Sequence, residues 1–341
     1  MLFSFEMRHN ETGMSVIEPC YIALFKSGEL GRLADELYNR LSACDICPWK
    51  CGVNRIRGEI GFCQSGALPI VSSHCAHRGE EPALSGTRGS GTIFFGNCNM
   101  LCLYCQNFQI SQDSVAQRHH EVDCQTLAGQ MLYLQNKLEC HNINLVSPSH
   151  FVPQIVKAVL EAASGGLHIP LVYNTGGYDS IDTIKALAGI IDIYLPDIRY
   201  ASKEIAAKLS KVPEYVVNNR QVIREMYRQV GDLKTDEDGV AYRGVIVRHL
   251  ILPKNLAGSE DSLGWLAREV SPTITVSIMS QYYPCHKASQ KPELTRTINC
   301  EEYAEVTNLL EKLGLENGWL QEMDAPTNYL PDFSRQGNPF E

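Results

Sequence analysis

The stretch Ser90-Gly91-Thr92-Ile93-Phe94-Phe95-Gly96-Asn97-Cys98-Asn99-Met100-Leu101-Cys102-Leu103-Tyr104-Cys105 runs from an apolar segment directly into three cysteines within eight residues. The short apolar run at 92–95 predicts a buried strand. The cysteines then fall at its C-terminal end. A cubane iron-sulfur cluster is closed when each of its irons carries a thiolate. Three thiolates leave one iron able to bind a substrate or cofactor. The spacing therefore points to chemistry rather than electron storage. A zinc ion completed by a distant His is the alternative, since the Cys98 and Cys102 pair alone satisfies zinc spacing.

Downstream, the pattern becomes regular. Leu127, Met131, Leu134 and Leu138 follow at helical spacing, and 143–146 reads as the next strand. The helix after it has Pro153 in its first turn, Ile155, Val156, Val159 and Leu160 inside, and Gly165-Gly166 beyond its end. Strand-like runs at 170–173, 191–195, 244–252 and 273–278 alternate with helical stretches near 181–188, 203–230, 261–269 and 301–313. Parallel neighbours need such crossovers. The expected fold is α/β: a partial TIM barrel of six β/α units, open because a closed barrel of this type has eight, with its mouth at the strand C-termini. A doubly wound sheet competes, but no Gly-x-Gly-x-x-Gly follows the first strand. Residues 91–341 form this unit with a C-terminal extension, and residues 1–90 an N-terminal cysteine-rich segment.

That segment holds Cys44, Cys47, Cys51 and Cys63, a complete set of four thiols, which the sequence reading takes as exposed on loops. Exposed thiols gain nothing for folding without a metal. A second 4Fe-4S cluster and a structural zinc are the two candidates; the Cys-x2-Cys-x3-Cys spacing with Pro48 leans toward iron-sulfur. The remaining cysteines, Cys20, Cys75, Cys124, Cys140, Cys285 and Cys300, read as small buried apolar residues or chance thiols. The total of 13 is odd, and seven fall in the two clusters, which argues for metal ligation over disulfides.

With 44% hydrophobic residues the composition is that of an ordinary soluble protein. No apolar run is long enough to span a membrane. Glu6 and Arg8 interrupt the start, so a secretory signal is not expected and the cytoplasm is the expected compartment. A formal charge of -9 gives no footprint for nucleic acid.

The Cys98-x3-Cys102-x-Tyr104-Cys105 pattern resembles the radical S-adenosylmethionine (SAM) superfamily. Together with 89–95 before it, Gln106-Asn107 and Ile110-Ser111 after it, Leu195-Pro196-Asp197 and Arg248-His249-Leu250, it looks like the uncharacterised proteins related to pyruvate formate-lyase-activating enzyme. This resemblance covers most of residues 44–335. It implies a 4Fe-4S cluster on Cys98, Cys102 and Cys105 whose open iron chelates SAM, and reductive cleavage of SAM to a 5′-deoxyadenosyl radical that abstracts a hydrogen from a substrate.

The same resemblance nominates cofactor contacts: Tyr104 in the loop, Asn174 and Thr175 after the third strand, Asp197 after the fourth, and Arg248 as a bidentate partner for the SAM carboxylate. Asn174 stands where relatives carry an acid for a monovalent cation. Ser147-Pro148-Ser149-His150 replaces a Gly-Gly-Glu-like element, with Ser147 as an acceptor for the SAM amino group and His150 as a proton donor or a helix-start residue. Gln281 and Tyr282 on the sixth strand face the same mouth or serve as buried polar groups. No catalytic residue is assigned. The implied reductant is flavodoxin or ferredoxin. The implied substrate is a protein, through activation of a glycyl radical enzyme; the alternatives are a peptide or small molecule, or a non-enzymatic iron-sulfur or zinc module.

Overall fold

The computed structural model describes residues 8–9, 15–323, 330–335 and 337–340. Of the stretch 1–10 used to judge a secretory signal, only Arg8 and His9 are among them. Among the described residues no helix is long and apolar enough to cross a membrane.

The core is a nine-stranded, mostly parallel sheet. Its strands are β1 (Val71–His77), β2 (Ser90–Phe95), β3 (Ile143–Val146), β4 (Leu171–Thr175), β5 (Ile193–Pro196), β6 (Lys234–Thr235), β7 (Ala241–Leu250), β8 (Thr275–Met279) and β9 (Gly318–Leu320). The order is β9-β8-β7-β5-β4-β3-β2-β1, with β6 pairing antiparallel to β7. From β2 to β9 this path is parallel, and β1 joins β2 antiparallel. Parallel strands are covered on both faces, so they read as unbroken apolar runs rather than alternations. Every residue of β2, β4 and β5 is buried.

Each crossover carries a helix, and local chemistry sets its ends. Asp123 caps Cys124–Asn136 by accepting from Thr126 N at 2.7 Å, and Pro153 sits in the first turn of Val152–Ser164. Asn299 and Glu302 form a reciprocal cap on Cys300–Leu313. The stretch expected as one helix at 203–230 is two, Lys203–Ser210 and Tyr215–Val230. Pro213 explains the break: it has no N–H to donate and disfavours helical backbone at Val212. Lys211 turns left-handed there, at φ 61°.

The N-terminal segment contributes more than its cysteines. The helix Glu29–Asn39 buries Leu30, Ala34 and Leu37, which belong to the same apolar cluster as Val156 and Val159 of Val152–Ser164. Tyr21 donates to the Ile169 carbonyl at 3.0 Å, and Asp192 accepts from Cys20 N at 2.7 Å.

Candidate cofactor site

Because β2 to β9 run parallel, their C-terminal ends lie along one edge. Gly96-Asn97-Cys98 leaves β2 there, with Asn97 left-handed at φ 62° and its N–H donated to the Ile110 carbonyl at 2.7 Å. The cysteine loop is then pinned from both sides. Leu101 N and Leu103 N donate to the carbonyls of Ser210 and Leu209 at 3.1 and 2.9 Å, while Leu103 O accepts from Lys287 N at 2.8 Å. Tyr104 is buried, and its hydroxyl meets that of Tyr200 at 2.5 Å. Tyr200 reaches Ser210 Oγ at 2.6 Å, and Ser210 donates to Cys102 Sγ at 3.0 Å. The aromatic residue of the motif thus braces a cysteine through two hydroxyls. Cys285 adds contacts from its thiol to the carbonyls of Tyr104 and Cys105 at 3.6 and 3.4 Å.

Burial, then the nearby Cys102 and Cys105 thiols, pushes Cys98 up to about 12. Burial, then Cys102, pushes Cys105 up to about 11. Crowded, buried thiols resist ionisation unless a cation joins them, and a metal reverses that preference. The donor set therefore fits a cationic metal group.

A cavity of about 830 Å³ opens beside this loop. Tyr104 and Cys105 line it, with Asn174, Asp197, Arg199 and Arg248 from the ends of later strands. Arg248 donates through Nε to Asp197 Oδ1 at 2.9 Å and through Nη2 to Asn174 Oδ1 at 2.6 Å. Arg199 Nη2 takes the other Asp197 oxygen at 2.5 Å. Asn174, Asp197 and Arg248 are thus brought together.

Other expected contacts are placed elsewhere. Thr175 is buried and is not on the cavity wall; its hydroxyl donates to Asp179 Oδ2 at 2.7 Å and accepts from Gly177 N at 3.1 Å. Ser147, left-handed at φ 58°, is not on the wall either. Tyr282 lines the cavity, but its hydroxyl donates to the Leu294 carbonyl at 2.8 Å. Gln281 also lines it and accepts from Gln321 Nε2 at 2.9 Å.

Sequence reasoning missed Glu80 and Glu81, which line the cavity from the loop after β1, and Arg199. The signal was Arg78-Gly79-Glu80-Glu81-Pro82, an acidic pair fixed between Gly and Pro a few residues before the first parallel strand. Burial raises both carboxyls, Glu81 to about 7, against the opposing pull of Arg248.

The four N-terminal cysteines also come together, around a second small cavity lined by Arg55 and His150. Contrary to the expected exposure, Cys44, Cys47 and Cys63 are buried, and only Cys51 is exposed. The segment folds back on itself: Cys44 N donates to the Val53 carbonyl and Gly52 N to the Cys44 carbonyl, both at 2.9 Å. Arg55 is 1% exposed and donates to the carbonyls of Gly66 and His150, with Cys44 Sγ at 3.9 Å. Among the described residues it has no carboxylate partner. A buried cation needs an anion, and thiolates are what this pocket offers.

His150 is buried with Nε2 at 3.0 Å from the Gly96 carbonyl, and desolvation holds it neutral, with its value pushed down to about 3. Trp49 Nε1 donates to the Asn99 carbonyl at 2.8 Å. These contacts tie the two cysteine groups together. Among the described residues, no three His, Cys, Asp or Glu side chains converge closely enough to hold a single metal ion.

No family model matches the chain. An uncharacterised protein of Methanocaldococcus jannaschii is 28% identical over 281 residues, covering 82% of this chain and 77% of that protein. Among solved structures, the chain is similar to native anSMEcpe with bound AdoMet, at a TM-score of 0.43 and 11% identity over 68% of this chain. It is also similar to Streptococcus suis SuiB bound to the precursor peptide SuiA, at a TM-score of 0.40 and 11% identity over 72% of this chain. The chain spans 59% and 51% of those two structures, respectively.

Proposed function

We propose that this chain is a radical SAM enzyme, with a partial barrel carrying a 4Fe-4S cluster on Cys98, Cys102 and Cys105. The observation that carries this reading is the single cavity of about 830 Å³ that joins the cysteine loop at the end of β2 to Asn174, Asp197 and Arg248 at the ends of three later strands. Cys98, Cys102 and Cys105 would hold the cluster, which with SAM bound would supply one-electron cleavage of a carbon-sulfur bond. The protein binds and orients. Arg248, held by Asp197 and Asn174, presents its guanidinium edge to a carboxylate. Tyr104, Tyr200 and Ser210 fix the loop, and Phe94 and Met279 line the same cavity.

The N-terminal thiols are proposed to hold a second 4Fe-4S cluster. The Cys44-x2-Cys47-x3-Cys51 spacing with adjacent Pro48 is what supports iron-sulfur over zinc. Flavodoxin or ferredoxin is the proposed reductant. The resemblance to activating-enzyme relatives favours hydrogen abstraction from a protein substrate, with a glycyl radical as its product.

The test is anaerobic reconstitution followed by dithionite. Release of 5′-deoxyadenosine, lost in Cys102→Ala, is the expected result. Release that persists in Cys102→Ala would overturn the assignment of the loop. Anaerobic pull-down followed by electron paramagnetic resonance tests for the glycyl radical.

A further inference from the structure

Five charged side chains form one connected wall of the cavity: Arg199, Asp197, Arg248, Glu80 and Glu81. Asp197 lies between the two guanidiniums, and Arg248 Nη1 stands 3.9 Å from Glu80 Oε2. Three carboxyls thus face two guanidiniums. Arg78 and Glu322, also on the wall, are both exposed and offset each other in charge. The side chain of Glu80 is 9% exposed and Glu81 is 9% exposed. Among the described residues Glu81 Oε2 has no hydrogen-bond partner, while Glu80 has Glu81 and fully buried Asn144 beside it, both of which favour its charged form.

We propose that Glu80 and Glu81 are the receptor for a protonated amine on a ligand bound in this cavity. An unpartnered carboxylate oxygen in a buried wall is costly. An ammonium group supplies both what is missing, donors and one positive charge. A bare metal ion fits less well, since no three acidic, His or Cys side chains converge there.

Burial raises Glu81 and the neighbouring Glu80 adds to the rise, while Arg248 and a hydrogen bond from Ser277 oppose it. Ligation of an iron would leave the α-amino group of SAM without its extra proton, a step that rests on the function proposed above, so the ammonium is one carried by the substrate.

The test uses the anaerobically reconstituted full chain and calorimetric titration with n-butylammonium chloride against n-butanol, each with and without SAM. In the wild type, a tenfold or greater preference for the amine is expected in both settings, and Glu81→Gln should remove it.

If SAM does not bind at all while the n-butylammonium preference persists, the radical SAM reading fails and the receptor stands. The proposal is overturned if the amine confers less than a twofold advantage over n-butanol both with and without SAM. That comparison uses the wild type alone, so a poorly folded variant leaves the outcome decided. Glu80→Gln is expected to weaken the same preference.

Discussion

Asp197 and Arg248 are joined twice, by backbone and by side chain. They form a parallel bridge between the end of β5 and β7, with Ile198 N donating to the Arg248 carbonyl at 2.8 Å, and Arg248 Nε donates to Asp197 Oδ1 at 2.9 Å. The strand register itself therefore brings the two charges together. Arg199, two residues on, closes the pair into a triad.

This triad gives a first prediction. The Asp197 side chain is 6% exposed and lies between two guanidiniums. Removing its charge leaves Arg199 without its ion-pair partner and Arg248 with the more distant Glu80 in a desolvated wall, which costs about 3 kcal/mol. Asp197→Asn is expected to lower stability by that amount in chemical denaturation and to misorient Arg248. Arg248→Lys keeps the charge but loses the planar fork, so SAM affinity measured by calorimetry should fall at least tenfold while stability changes less than in Asp197→Asn.

A second prediction concerns backbone at the same place. Gly177 has φ +78°, and a Cβ there would lie 2.2 Å from Asn219 Nδ2 and 2.3 Å from the Asp197 carbonyl. Asn219 holds that carbonyl at 2.9 Å, and Tyr215 Oη donates to it at 3.0 Å. Gly177→Ala therefore adds strain at the turn and pushes on Asp197. A stability loss of about 2 kcal/mol is expected, with a larger loss of SAM affinity than Gly166→Ala, where an added Cβ would meet nothing within 4 Å.

These two sites mark how far the sequence was legible. All six strands expected from apolar runs recur within a few residues in the sheet, because strands buried on both faces carry a continuous apolar signal. The antiparallel β1 was not seen: Val71–His77 alternates Ser and His with small residues and has no such run. Asn174, Asp197 and Arg248 were legible because the resemblance names them and strand ends locate them. Glu80, Glu81 and Arg199 were not, since a loop acid or an Arg two residues past a strand has no periodic pattern to announce where it points. Thr175 illustrates the reverse. Its position is at a strand end, but Asp179, four residues later, takes its hydroxyl.

The N-terminal thiols give a third prediction. With both proposed clusters loaded, iron should approach about eight atoms per chain. Cys47→Ser should lower this to about four and leave the site on Cys98, Cys102 and Cys105 intact, read as retained 5′-deoxyadenosine release under dithionite. Four irons with one zinc in the wild type would instead identify the N-terminal ion as zinc. Arg55→Met should weaken retention of the N-terminal metal, because it removes the buried cation that thiolates offset.

A fourth prediction follows from His249, adjacent to Arg248 in β7. Its Nδ1 lies 2.7 Å from the Ile198 carbonyl and its Nε2 2.9 Å from Ser259 Oγ. Nδ1–H donates to the carbonyl and Nε2 accepts from the hydroxyl, so the neutral ring satisfies both. Burial pushes it down to about 4. The unfolded chain takes up the proton near its ordinary value of about 6.5, the folded chain only near 4, so the unfolded state binds more protons between these values. This contribution is complete above about pH 6.5 and is lost as the pH falls toward 4. His77, pushed down to about 4 by burial, acts in the same direction. Glu81 and Asp192, raised by burial to about 7 and about 6, act in the opposite one. His249→Asn retains an N–H for the Ile198 carbonyl but cannot titrate. Anaerobic urea denaturation at pH 7 and pH 5 should therefore show the change in stability shifted by about 2 kcal/mol between wild type and His249→Asn, with the wild type losing more on acidification. An equal change in both proteins would mean that the imidazole is protonated in the folded chain.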